Sequence, residues 1–249
     1  MVERDAFLVS WSHRLAGIRS DAGTVPDEET RDVASAYARR DGRIDVHRLP
    51  VDTVATVVLA AGWSREPPAV VIGLGADLDP VVAARRAVGE VAQVRPALRM
   101  RLRQPGTAAR LEELVADPSR VAALEDHDLL YADAETATAG LTHLLSAPTQ
   151  PWDVAPAENM TEGAALERLT GSLADVAGDV LYVDVTSGDV ARLGVRVARG
   201  IIPGFLPIHF GAAEARLGGE RLYRLPSDLG LRAGPARRDE LNLAPHPLA

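Results

Sequence analysis

The chain has 249 residues, 47% apolar and 25% charged, with a net charge of −8, which suits one large globular domain or two small ones. Cysteine is absent, and all 27 cationic side chains are arginine. Disulfides, thiolate catalysis, a Schiff-base lysine and the lysine of a Walker A loop are therefore excluded, and an acidic chain is poorly matched to nucleic acid. No basic-then-apolar leader is visible, and the longest apolar run, near Val54–Gly62, is far short of the ~20 residues a membrane span needs. The expectation is a cytoplasmic protein that engages neither nucleic acid nor membrane.

Val2, Ala6, Val9 and Leu15, with Phe7, Leu8 and Trp11 alongside, trace a helical stripe from the first residues onward, without a capping side chain before it. A front segment is therefore expected to be missing. Residues 17–33 read as loop, 30–40 as a short helix, and Ile44–His47 and Val54–Ala61 as strands. After Pro67-Pro68, Ala69–Ile72 reads as a buried strand running into Gly73-Leu74-Gly75. Asp79-Pro80 opens a helix over about 80–103, with Asp as cap and Pro in the first turn. Residues 106–116, 134–146 and 161–176 read as further helices, and 147–160, with three prolines, as a linker-like surface stretch. Val180–Val185 and Arg192–Ile202 read as strands; from Pro203 on, turns dominate. Strands interspersed with helices indicate an α/β (α+β) fold.

Gly73 and Gly75 sit between a strand and a helix, but the third glycine of a dinucleotide fingerprint would fall at Leu78, so that motif fails. The pair reads instead as a strand-to-helix turn requiring positive φ. Inside the long helix, Glu90 and Gln93 are three residues apart and project from one face, where their oxygens suit a hard cation such as Mg²⁺. The competing interpretation is a solvated face with an Arg86–Glu90 ion pair. Arg95 points nearly opposite to Gln93 and must meet a different element. Glu3-Arg4 is equally compatible with a surface pair. The six histidines show no metalloprotease spacing, and no G-x-S-x-G elbow occurs. The tail, residues 242–249, carries Pro245 and Pro247 and reads as extended, and most such tails are disordered.

Taken in order, Glu3-Arg4-Asp5-Ala6-Phe7 with Trp11, Val70–Ala76 with Asp79-Pro80, Glu90-x-x-Gln93-x-Arg95, Asp126-His127 with Tyr131, Tyr182–Thr186, Ile201–Gly204, His209-Phe210-Gly211, Arg216–Gly219 with Tyr223 and the Pro-His-Pro tail resemble the C-terminal part of a YcaO domain. The likeness is nearest to the azoline-forming cyclodehydratases of thiazole/oxazole-modified peptide biosynthesis. It implies a YcaO-type mixed sheet with packed helices over 1–249, with 241–249 as a proline-containing tail. It also implies ATP-dependent phosphorylation of a backbone amide oxygen of a ribosomal precursor peptide, as a Cys, Ser or Thr side chain closes the ring. By the same resemblance, Glu3, Glu90 and Gln93 ligate the Mg²⁺ of Mg–ATP, Arg95 contacts nucleotide phosphate, and Pro245 and Pro247 belong to a tail that lies in the active site. The chain ends in Ala249 where the family pattern ends in proline, and the first glutamate of the family's E-x-x-E-R segment would precede Met1. The expectation is a chain that is inactive until a partner protein supplies the missing N-terminal part or recognises the leader peptide. The alternative is a non-catalytic docking or scaffold homologue in a peptide-modification pathway.

Overall fold

The computed structural model describes residues 1–248. Its elements are α1 (Val2–His13), β1 (Ile18–Asp21), α2 (Glu28–Ala38), β2 (Arg43–Leu49), β3 (Thr56–Trp63), β4 (Val70–Asp77), α3 (Pro80–Arg101), α4 (Thr107–Ala116), α5 (Leu124–Leu130), α6 (Ala134–Gly140), α7 (Thr142–Ser146), β5 (Thr149–Gln150), α8 (Glu162–Ala177), β6 (Leu181–Asp184), α9 (Gly188–Arg192), β7 (Ala198–Ile201) and α10 (Glu220–Asp228). Five strands form one sheet in the order β4-β3-β2-β1-β5. All neighbours are antiparallel except β1 and β5. The register sets Ala60 against both Val46 and Gly73, and Leu59 against both His47 and Leu74.

That register decides the layers. Gly62, Gly73 and Gly75 turn their Cα hydrogens toward α3: an added Cβ would lie 2.2 Å from the Ala87 carbonyl oxygen at Gly73 and 2.1 Å from that of Ala83 at Gly75. At Gly62 it would meet Val91 of α3 and Tyr37 of α2. These helices therefore cover one face of the sheet. Leu59, one residue out of phase, faces Phe7, Ser10 and Trp11 of α1 together with Leu141, Leu144 and Pro247, so α1 and the C-terminal segment cover the other. Burial on both faces explains why β3 and β4 are nearly continuous apolar runs, and why Ala6–Trp11 is buried almost all round.

Gly73-Leu74-Gly75 is thus not a turn. Both glycines lie within β4, neither has positive φ, and their role is to let the α3 backbone approach the sheet. Residues 17–33 hold β1 and the start of α2; residues 134–146 split into α6 and α7; and Arg192–Ile202 contains the end of α9 before β7 begins. α5 and α10 were unexpected: the first is short, and the second carries Pro226 inside it. Asp79 caps α3 as expected, its Oδ1 accepting from the Val81 amide at 2.7 Å with Pro80 in the first turn. Beyond the main core, Leu173, Ile202 and Phe205 form a second, smaller apolar cluster. No helix among the described residues is long and apolar enough to cross a membrane.

Candidate active site at the edge of strand β4

β4 is an edge strand, so every second amide and carbonyl along it needs a partner outside the sheet. α3 supplies them. The Leu74 amide donates to Glu90 Oε2 at 2.6 Å, and the Ala76 carbonyl accepts from Arg86 Nη1 at 2.7 Å. Arg86 also pairs with Asp77 at 2.9 Å. Arg86 and Glu90 therefore reach to the strand rather than to each other, which replaces the expected i, i+4 ion pair. The close seating of α3 on Gly73 and Gly75 brings Glu90 within reach of that amide.

Glu90 is half-buried, and burial is the largest influence pushing its carboxyl above the ordinary glutamate value. The Leu74 hydrogen bond opposes that rise; the Glu3 carboxylate reinforces it, and the Arg4 charge opposes it. Glu3, in the first turn of α1 on the opposite face of the sheet, thus acts electrostatically on Glu90 across 87 positions of sequence. Gln93 stands one turn further along α3, exposed to solvent. Two carboxylates and an amide make an oxygen-only donor set, the kind a hard divalent cation accepts. Among the described residues no cluster of three or more His, Cys, Asp or Glu side chains could hold a metal, so this set by itself is not a complete protein cage.

Arg95 is elsewhere. Its Nη1 donates to the Pro68 carbonyl at 3.1 Å and its Nη2 to that of Glu66 at 3.4 Å, while the guanidinium lies 5.1 Å from the Tyr37 ring centroid. With Tyr37 it lines an apolar groove of about 350 Å³ between α2 and α3. The structure does not bring it to Glu90 and Gln93.

The tail is built into the fold. Asn242 N donates to the Ser12 carbonyl at 2.7 Å, Trp11 Nε1 to that of Ala244 at 2.9 Å, and the Tyr131 hydroxyl to that of Pro245 at 2.7 Å. Pro245, His246, Pro247 and Leu248 are all buried, while Ala249 lies outside the described residues. Beside the tail, Arg221 of α10 clamps Asp5 of α1 and Asp52. Its Nη2 lies 2.8 Å from Asp5 Oδ2 and its Nη1 2.7 Å from Asp52 Oδ2, with Asp5 Oδ1 also accepting from Leu206 N at 2.9 Å. Burial would lower the Arg221 value, but the hydrogen bonds it donates to Asp52 and Asp5, with their negative charges, more than reverse that. Sequence reasoning missed this clamp and a cluster of three histidines in which His127 stacks on His246 of the tail and His209 stands edge-on to both. Arg221 had no sequence neighbour to mark it, and the histidines are too far apart in sequence to form a motif.

Comparison with known proteins gives these positions a family context. The family described as "YcaO cyclodehydratase, ATP- and Mg²⁺-binding" matches residues 1–206. Among solved structures, a heterocyclase in complex with substrate and cofactor is similar with a TM-score of 0.70 and 24% identity, over 99% of this chain and 30% of that one. The heterocyclase TruD gives 0.60 and 24%, over 99% and 31%. The YcaO protein of Methanopyrus kandleri, bound with AMPPCP and Mg²⁺, gives 0.58 and 21%, over 82% and 50%. The chain therefore spans about a third of the length of the two heterocyclases and half of the archaeal protein. No curated protein matches in sequence. With a mixed five-stranded sheet, helices on both faces and a family match over most of its length, the chain belongs to the YcaO family.

Proposed function

We propose that this chain is a component of an ATP-dependent YcaO cyclodehydratase that phosphorylates a backbone amide oxygen of a ribosomal precursor peptide during heterocyclisation of Cys, Ser or Thr. Glu3, Glu90 and Gln93 would hold the Mg²⁺ of Mg–ATP, and Pro245 and Pro247 would serve the reacting amide. What supports this reading is that the Glu3 charge acts on Glu90, from a helix on the opposite face of the sheet, while Glu90 is anchored to the edge strand by the Leu74 amide. Bound Mg–ATP would supply the phosphoryl group and neutralise its charge.

The chain's own residues prepare that site. The Leu74 amide fixes one Glu90 oxygen and leaves the other free to bind. Burial and the Glu3 charge make Glu90 an unfavourable anion until a cation offsets it. Gln93 adds an oxygen donor without adding charge. Because the Glu90 value is raised, protons compete with the metal as pH falls through it, so metal affinity weakens on acidification. Two carboxylates and an amide leave an octahedral ion dependent on phosphate, water or side chains from elsewhere. We infer that a partner polypeptide completes the site and that the chain by itself is a weak catalyst. Two of the similar structures, a heterocyclase in complex with substrate and cofactor and a YcaO protein bound with AMPPCP and Mg²⁺, support this reading.

The test combines this chain with its partner and precursor peptide and reads, by mass, the loss of one water per ring. Glu90→Gln should reduce turnover by about 10² or more while urea unfolding stays near wild type. Undiminished water loss in the variant would overturn the assignment.

A further inference from the structure

His127, on α5, has no part in the site above, yet it is wholly buried at the centre of the tail's seat. Its Nδ1 lies 2.7 Å from the His246 carbonyl oxygen and its Nε2 lies 2.8 Å from that of Phe210. Carbonyl oxygens only accept hydrogen bonds, and a neutral imidazole carries one N–H. Either neutral tautomer would set a bare nitrogen lone pair against a carbonyl lone pair at a fully buried ring. Only the imidazolium satisfies both contacts.

The His246 ring stacks on His127 with centroids 4.0 Å apart and planes 15° apart, and the His209 ring stands edge-on to both, at 4.8 Å from His246 and 6.2 Å from His127. His246 Nε2 faces the His209 carbonyl at 3.2 Å. Burial first, and then the neighbouring His127, pull the His246 value down to about 3; the same two influences lower His209. Of the other elements, α1 presents only the Phe7 ring, 5.7 Å from His246, while Glu214 and Arg216 act with opposite sign on His209. On α5 itself, Asp126 and Asp128 are taken by Arg110 and Arg101.

We propose that His127 is a buried imidazolium and the positioning residue of the C-terminal segment, tying the His246 carbonyl to that of Phe210 and so fixing Pro245 and Pro247. That these prolines serve the reaction rests on the function proposed above; the charge on His127 does not. Its two N–H groups hold the tail to the Phe210 segment, and a ring lacking either one would leave a carbonyl facing a lone pair.

The test uses the full chain with isotope-labelled histidine rings, assigned through His127→Phe. Near neutrality both ring nitrogens of His127 should carry a proton, while His246 shows one bare nitrogen. Trimming by a carboxypeptidase should accelerate about tenfold, the equivalent of one hydrogen bond lost, in His127→Phe. A bare nitrogen on His127 near neutrality, or trimming indifferent to the substitution, would sink the proposal. The wild-type resonances decide even if the variant does not fold. A neutral His127 in a chain whose cyclodehydration still needs Glu90 refutes this inference alone. A charged His127 beside activity indifferent to Glu90→Gln refutes the function alone.

Discussion

Between Asn242 and Leu248 the chain is extended, lies in no sheet and is mostly buried; from β6 to β7 it is a regular antiparallel ribbon whose strand residues are all exposed. The two strands of the ribbon satisfy each other's amides and carbonyls, so the ribbon can stand in water with Tyr182 and Val183 uncovered. The tail cannot do this. Its prolines offer no donor and its carbonyls have no strand beside them, so it takes Trp11, Tyr131 and His127 from the body of the protein instead. Regular hydrogen bonding and burial are separate properties, and here they have parted company.

The comparison breaks if the tail can be removed cheaply. Deleting residues 242–249 strips the burial of Pro245, His246, Pro247 and Leu248 and orphans three buried donors, at a cost of at least ~4 kcal/mol. Urea denaturation followed through Trp11 reads this directly, and an unchanged midpoint would mean the tail is only laid on the surface. A smaller effect separates the regions by pH. An unfolded histidine takes up a proton near 6.5, whereas native His246 resists until about 3. The unfolded state therefore gains protons first, and stability falls as pH drops from 6.5 toward 3. His246→Gln should flatten that dependence by up to one proton, about 1.4 kcal/mol per pH unit; unfolding midpoints across the acid range measure it. The smallest effect belongs to the ribbon. Leu193, in the connection between β6 and β7, is 79% exposed, and Leu193→Glu should change stability by no more than about 0.5 kcal/mol. A larger loss in a thermal melt would show that the ribbon is covered after all.

Much of this was legible in the residues. The Asp79-Pro80 signal placed the start of α3, and the apolar runs placed β2, β3 and β4, because capping and strand burial are local and leave local marks. The E-x-x-Q pattern was legible too, although its spacing could not reveal that Glu90 spends one oxygen on a strand amide. Gly73 and Gly75 were misread because a glycine in a turn and a glycine under a helix look alike; what separates them is the α3 backbone packed against them. The tail's placement depends on Trp11, His127 and Tyr131, over a hundred residues away, and nothing in Pro-His-Pro announces them. α10 was hidden by Gly218-Gly219 before it and Pro226 within it.

The sharing of the Glu90 carboxylate has a consequence for observation. One oxygen is bound to the Leu74 N–H, and whatever settles on the other draws electron density through the same group, leaving that amide more weakly held. The Leu74 proton is thus a natural gauge, wired into the strand itself, from which solvent exchange can report occupancy without any label being added.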